Sequence, residues 1–248
     1  MSLVKKMAQI EIKPSHHILI LGKTGSGKSF ATKHVLLPAL MRQKNQVLVI
    51  LDSKREYGDI TNNVVTTPQA LNHFLYAEKK PKGKIVRILN AKPHEAVAEE
   101  YLSAGYAPHH DIMTGDFQYT FGVRFFIEDM PMFYDSPYKV PPQLKYWACM
   151  GRAAFPNCPR TLVGTSQRAQ LIPKTVMTQC EHLFLFSLSE YDIVHSIIPI
   201  YGHSAGNKVA TLEKYGYVLV SDLYDEPIKF KPYQPNFTVK SEKGIYLD

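Results

Sequence analysis

The stretch Gly22-Lys23-Thr24-Gly25-Ser26-Gly27-Lys28-Ser29 satisfies GxxxxGK[ST] at every position, a pattern that demands a particular fold around it. Its glycines let the backbone curl until several N–H groups face one point, where phosphate oxygens would sit. A helix starting directly after the loop adds its positive N-terminal end. The chemistry therefore requires a strand before the loop and a helix after it. Both are predicted: His17 to Leu21 is an apolar strand, and Ser29 to about Arg42 carries Val35, Leu36, Ala39 and Leu40 at helical spacing. All eight loop residues are candidates for binding a nucleoside triphosphate. Lys28 is expected to reach the β- and γ-phosphates, and the Ser29 hydroxyl to ligate Mg²⁺.

Gln46 to Leu51 is a continuous apolar run, suited to a parallel strand buried on both faces. Further along, helices are expected at 67–78, 94–104, 143–155, 174–180 and 190–201, and strands at 84–89, 123–127, 160–164, 182–187 and 217–220. The polar connection 105–118 and the proline-rich segment 130–142 read as irregular, the latter as a loop or lid. Alternation of strands and helices predicts an α/β fold with a mainly parallel sheet covered by helices, carried by residues 1–222. Residues 223–248 form a proline-containing C-terminal tail with a short β extension.

Hydrolysis of a phosphate anhydride needs a metal-positioning acid and a group that orients water. The strand Val123 to Ile127 delivers Glu128 and Asp129 at its end. Glu128 is assigned to the Mg²⁺ shell and Asp129 to the general base that polarises water, with the reverse assignment open. A helix cap or turn is the bland alternative. Gln167, in Thr165-Ser166-Gln167-Arg168 after another apolar strand, has the amide chemistry to sense the γ-phosphate and the water.

The remaining composition narrows the class. The chain has 248 residues, 45% of them hydrophobic, and 17 prolines among ordinary globular usage, which excludes collagen-like, coiled-coil and disordered chains. No apolar run approaches the roughly 20 residues that span a bilayer, and Met1 to Lys6 lacks a secretory signal pattern, so a cytoplasmic, non-transmembrane protein is expected. Cys149, Cys158 and Cys180 lack CxxC spacing and read as reduced packing residues. The net charge of +7 permits a polyanionic partner.

Two further blocks point to a family. Asp52-Ser53-Lys54-Arg55-Glu56-Tyr57, directly after the second strand, resembles the D-x-K-x-E-[YF] signature of the FtsK–HerA superfamily of DNA-pumping ATPases. Gly151-Arg152-Ala153-Ala154, Thr161 to Arg168 with Ile172-Pro173, and Phe186 to Asp192 are similar to that superfamily's later motifs. The resemblance runs from about His17 to Val220. It implies a RecA-like P-loop ATPase working as a homo-oligomeric, hexameric ring on double-stranded DNA, with ATP at subunit interfaces and Mg²⁺ as cofactor. It also implies an arginine finger supplied by a neighbour, with Arg152 the first candidate and Arg160 and Arg168 behind it. The order Glu128-Asp129 departs from the superfamily's Asp-Glu, and Ala169 stands where a proline is usual.

About seventeen residues precede the first strand, too few for the β-barrel of HerA-type enzymes. The expected branch is therefore the single-domain ATPases that package genomes into preformed capsids of double-jelly-roll viruses with internal membranes. A host-cytoplasm location, association with the virion vertex, and capsid or internal-membrane proteins as partners follow from that branch. Candidate DNA contacts are Lys79, Lys80, Lys82 and Lys84, then Lys229, Lys231 and Lys240, and Tyr138 with Lys139. Each has a solvated loop or tail as its simpler explanation. A small-molecule or nucleoside kinase shares the loop but has no use for the Asp52 and Gln167 blocks. A GTP-dependent switch wants NKxD, and Asn207-Lys208-Val209-Ala210 lacks the aspartate. An export ATPase of the same superfamily is the third alternative.

Overall fold

The buried apolar runs assemble into one nine-stranded sheet in the computed structural model. The structure describes residues 10–43, 45–76, 85–89, 93–106, 121–134, 136–155, 157–231, 237–241 and 244–247. The strands are β1 (Ile10–Ile12), β2 (Ile18–Leu21), β3 (Gln46–Leu51), β4 (Val64–Val65), β5 (Ile85–Ile88), β6 (Gly122–Ile127), β7 (Arg160–Ser166), β8 (His182–Leu185), β9 (Tyr217–Ser221), β10 (Ile228–Phe230), β11 (Phe237–Ser241) and β12 (Gly244–Leu247). The main sheet runs β10-β9-β8-β2-β7-β6-β3-β5-β4, parallel from β8 to β4, with β9 and β10 antiparallel at one edge. A smaller antiparallel sheet, β1-β12-β11, joins the two chain ends. Beyond residue 222, β10 extends the main sheet, so part of the expected β extension belongs to its edge.

The helices are α1 (28–41), α2 (Pro68–Tyr76), α3 (Glu95–Tyr106), α4 (142–154), α5 (Lys174–Thr178) and α6 (190–210). Both faces of the sheet are apolar because successive strand residues point to opposite sides. Leu19, Leu21, Val47, Val49, Val123 and Phe125 pack with residues of α2 to α6. Ile18, Ile20, Leu48, Ile50 and Phe126 pack with Leu36, Leu37 and Leu40 of α1. Among the described residues no helix is long and apolar enough to cross a membrane.

Two helices carry a π turn just before a proline: Thr32–Leu36 before Pro38, and Ile193–Ile197 before Pro199. A helical proline removes one N–H and crowds the carbonyl four residues back. The widened turn accommodates both without ending the helix. Accordingly α6 runs on to Ala210, well past the expected Tyr201, with a break at Gly202 (φ 83°). The described residues between β6 and α4 are irregular as expected except for a short 3₁₀ turn, Met130–Met132. Strand β7 reaches Ser166, so Thr165 and Ser166 end the strand rather than start a loop.

At the edge where the parallel strands begin, the fully buried Arg124 guanidinium donates to Thr161 Oγ1 (3.1 Å), Gln43 Oε1 (2.9 Å) and the carbonyls of Lys13 and Pro14 (3.0 and 2.9 Å). It replaces a carboxylate partner with five-donor geometry satisfied mostly by carbonyls, and pins residues 13–16 across the sheet. Arg160 at the start of β7 is equally buried and donates to the carbonyls of Tyr106 (2.7 Å) and Cys158 (2.8 Å). That burial corrects its candidacy as a group offered to a neighbouring subunit.

Candidate functional site

Parallel strands end on one edge, so the segments following β2, β3, β6 and β7 are neighbours although they are far apart in sequence. The register makes this concrete: Leu21 pairs with Ser166, Gly164 with Ile127, and Ile127 with Leu51. Gly22 therefore emerges beside Gln167, and Glu128 beside Asp52. Strand β7 separates the glycine-loop strand from the acid-bearing strand, leaving room for phosphates over the end of β7.

The loop is held at its root by both flanking strands. Gly22 N–H donates to the Ser166 carbonyl (3.0 Å) and Lys23 N–H to the Ser187 carbonyl (2.9 Å). Gly25 (φ 76°) and Gly27 (φ 95°) take left-handed conformations that an L side chain resists. Gly27 is the cap residue from which α1 starts, so the helix end points into the curled loop. Lys28 is only 7% exposed. Burial pushes its ammonium below the usual lysine range, and Asp129 and Glu128 oppose that shift.

Glu128 is 3% exposed. Burial, reinforced by Glu56, pushes its carboxyl above the usual range; Lys54, a hydrogen bond to the Tyr57 hydroxyl and Lys28 pull the other way. Its Oε2 is buried with no hydrogen-bond partner among the described residues, an orphaned acceptor of the kind a hard cation satisfies. The residues present thus fit Mg²⁺, with Glu128 and the exposed Ser29 as its holders. Asp129 adopts φ 54°, unusual for a non-glycine residue. Its N–H donates to Thr165 Oγ1 (2.8 Å), and its Oδ2 accepts from Lys54 Nζ at 3.0 Å. Burial alone would lower Lys54, but the bond to Asp129 together with the negative charges of Asp129, Glu128 and Glu56 outweighs it and raises the ammonium.

The 52–57 turn had only a signature's authority in the sequence; its geometry explains each position. Asp52, fully buried, accepts from Glu56 N–H (2.8 Å), Tyr57 N–H (3.2 Å) and Arg87 Nη1 (3.2 Å). The carboxylate thereby shapes the turn that aims Lys54 at Asp129 and Tyr57 at Glu128. Lys54, Tyr57 and Thr165 are the site residues that residue-by-residue reading missed, although the spacing D-x-K-x-E-Y contained the signal. Thr24 is another: its hydroxyl donates to Gln167 Oε1 at 2.7 Å, linking loop and amide directly.

The structure thus brings together Gly22 to Ser29, Glu128, Asp129 and Gln167. Arg152 lies elsewhere. It pairs with Glu181 and donates to Gln179 Oε1 (3.4 Å), near the start of β8 and the opposite edge of the sheet. Arg168 is exposed at the phosphate-loop edge, immediately after Gln167. Tyr138 is 93% exposed and Lys139 pairs with Glu95 (3.2 Å); Lys79, Lys80, Lys82, Lys84 and Lys240 lie outside the residues whose side chains are described.

Residues 8–131 match the family model of the helicase HerA central domain. No curated protein matches the chain in sequence. Among solved structures, the genome packaging NTPase B204 of Sulfolobus turreted icosahedral virus 2, in complex with ATPγS, aligns with a TM-score of 0.70 at 19% identity, covering 89% of this chain and 99% of that one. VirB4 of Thermoanaerobacter pseudethanolicus aligns with a TM-score of 0.56 at 12% identity, covering 93% and 98%. The bacterial conjugative coupling protein TrwB aligns at 0.55 and 9% identity, covering 89% and 84%. These likenesses show the shared α/β fold.

Proposed function

The chain belongs to the family of the HerA helicase central domain, and on that premise we propose that it is a Mg²⁺-dependent ATPase. We propose further that it works as a ring, coupling hydrolysis to movement of double-stranded DNA into a viral capsid. The observation that carries the ATPase reading is the convergence of Lys28, Glu128, Asp129 and Gln167 at one sheet edge, around a loop whose backbone already curls. A kinase would share the loop alone. The packaging branch is favoured by the near-complete mutual coverage with the viral packaging NTPase, whose TM-score exceeds those of VirB4 and TrwB.

In this mechanism the loop N–H groups and the helix end hold the phosphate oxygens, and Lys28 compensates charge between the β- and γ-phosphates. Ser29 and Glu128 would hold Mg²⁺, which would supply electrostatic stabilisation of the phosphates. Asp129 orients the attacking water through the oxygen that Lys54 does not occupy and takes its proton. Gln167, already bonded to Thr24, reports the γ-phosphate to the loop. For the arginine contributed by a neighbour, position favours Arg168, since Arg152 would have to give up Glu181. Tyr138 and Lys139, on the segment that follows Asp129, are the proposed contacts to DNA phosphates, independent of base sequence.

The test is ATP hydrolysis by the purified chain with Mg²⁺, with and without double-stranded DNA, at low and moderate salt. Stimulation by DNA of any sequence, falling steeply with salt, supports a translocating motor. Hydrolysis indifferent to DNA leaves the ATPase and removes the motor.

A further inference from the structure

Two segments leave the catalytic edge and meet again farther out. Residues 137–138 follow Asp129, residues 169–174 follow Gln167, and together with the start of α6 they enclose a cavity of about 440 Å³. Among the described residues, neither the glycine loop nor Glu128, Asp129 or Gln167 lines it. Its floor is apolar, made by the buried Ala169, Ile172 and Met177. Its rim is polar and exposed, with Lys174, Tyr138, Tyr191 and His195. We propose that this cavity seats the sugar–phosphate backbone of one strand of duplex DNA, with a phosphate held by Lys174 and the Tyr191 hydroxyl and a deoxyribose against the floor. The subsite rests on the DNA-motor reading above and adds to it where a strand is held and how it bears on hydrolysis.

The charge of the wall selects the ligand. No Asp or Glu lines the cavity among the described residues. Asp192 on α6 is 3% exposed and has both oxygens engaged, Oδ1 by the Gln170 N–H (3.1 Å) and Oδ2 by the Ser189 hydroxyl (2.5 Å). Lys174 is exposed and pairs with no carboxylate among the described residues, unlike Lys33, Lys54 and Lys208. The ring of Tyr191 packs on His195, with centroids 4.2 Å apart, and 57% of the residue stays exposed. That contact steadies the phenol at the mouth, where its hydroxyl is a donor to phosphate. A cation and hydroxyl donors without an acid suit an anion, and an apolar floor beneath them suits an anion with an apolar part attached. A DNA strand alternates phosphate and deoxyribose in just this way. Position then links the subsite to hydrolysis. Ala169 and Gln170 come two and three residues after Gln167, and the bond from Gln170 N–H ties that segment to α6. Tyr138 lies on the segment that follows Asp129, so a strand seated here bears on both segments that carry catalytic groups.

Anisotropy of a labelled DNA duplex, titrated with the full chain over a range of salt concentrations, tests this in the wild type, Lys174→Ala, Lys174→Arg and Tyr191→Ala. Both side chains are exposed, so the variants should fold. Losing one phosphate contact lowers the slope of log affinity against log salt by about one, and the affinity about tenfold at roughly 0.1 M salt. Lys174→Ala should show both changes, and Lys174→Arg, which keeps the charge, should restore the slope. Tyr191→Ala removes a neutral contact, so affinity should fall severalfold at every salt concentration with the slope unchanged. ATP hydrolysis without DNA should stay at the wild-type rate in all three variants, while the DNA concentration for half-maximal stimulation rises in step with the loss of affinity. Wild-type affinity and slope in both alanine variants overturn the subsite alone. Inorganic polyphosphate that displaces the duplex as well as unlabelled duplex does, phosphate for phosphate, overturns the assignment to a strand. A wild type that binds no duplex overturns the DNA reading and the subsite with it.

Discussion

Mild acid should unfold this protein from the edge opposite its phosphate loop. His17 is 1% exposed, and its Nδ1 accepts the Leu162 N–H at 2.9 Å. Burial, with Arg152 and Arg124 nearby, pushes its pKa down to about 3. His16 and His182 are lowered as well, by burial and by neighbouring positive charge. Their tautomers follow from their partners. Lys13 N–H donates to His16 Nδ1 (3.2 Å), so His182 Nε2 donates to that same atom (2.7 Å) and His182 Nδ1 accepts from Ser221 Oγ (3.0 Å). All three rings are therefore neutral in the fold, whereas in the unfolded chain each takes a proton near pH 6.5. The unfolded state binds more protons, so stability is complete above pH 6.5 and falls as pH drops toward 3. Below that the folded form protonates His17 too and the loss levels off. For His17 the loss at pH 5 is about 2 kcal/mol, and with the other two rings roughly 4–6 kcal/mol. That is a large share of the roughly 5–15 kcal/mol that stabilises a domain. Guanidinium unfolding at constant ionic strength, followed by fluorescence of the buried Trp147 at pH 7, 6 and 5, measures it. In His17→Asn the side-chain oxygen can still accept from Leu162, and the slope with pH should flatten by about one group. Stability that is flat from pH 7 to 5, or an unchanged slope in His17→Asn, refutes the reasoning.

Single-turnover assays of Glu128→Gln and Asp129→Asn should both show turnover reduced at least about a hundredfold, with Asp129→Asn keeping nucleotide affinity; normal rates in either would remove that acid from the reaction. Tyr57→Phe deletes the hydroxyl that helps hold the Glu128 carboxyl down. The kcat should fall severalfold with KM little changed, and the acid limb of the pH–rate profile should move up. Gly22→Ala places a Cβ 2.6 Å from Phe186 Cβ and 2.7 Å from Ser26 Oγ. Overpacking of that kind costs about 1–3 kcal/mol, and the denaturation midpoint and nucleotide affinity should drop together. A variant with wild-type stability would show that the loop root is looser than it looks.

Much of the site could be read from the chain because its parts are local. Gly22 to Ser29 curl their own backbone into a phosphate-binding shape, so eight consecutive residues and a flanking strand and helix suffice to define the candidate loop. Glu128 and Asp129 were visible because an apolar strand ending in two acids has few other uses beside such a loop. The alternating strands and helices likewise predicted the parallel sheet, since both faces of each central strand are apolar.

What tertiary structure decided are the relations between segments. No local pattern tells that Lys54 meets Asp129, that Tyr57 meets Glu128, or that Thr24 holds Gln167. Those contacts exist only because the parallel order β2-β7-β6-β3 brings four separate strand ends to one edge. The same order removed Arg160 from the surface, placed Arg152 at the far edge and left Arg168 beside the glycine loop; three arginines of equal chemistry in sequence differ in where the fold puts them. Sequence determines which groups the chain possesses and the period at which it hides its apolar ones. Which groups share a low-dielectric site, and hence which charges shift one another, depends on strand order, a property of long-range packing that no window of residues contains.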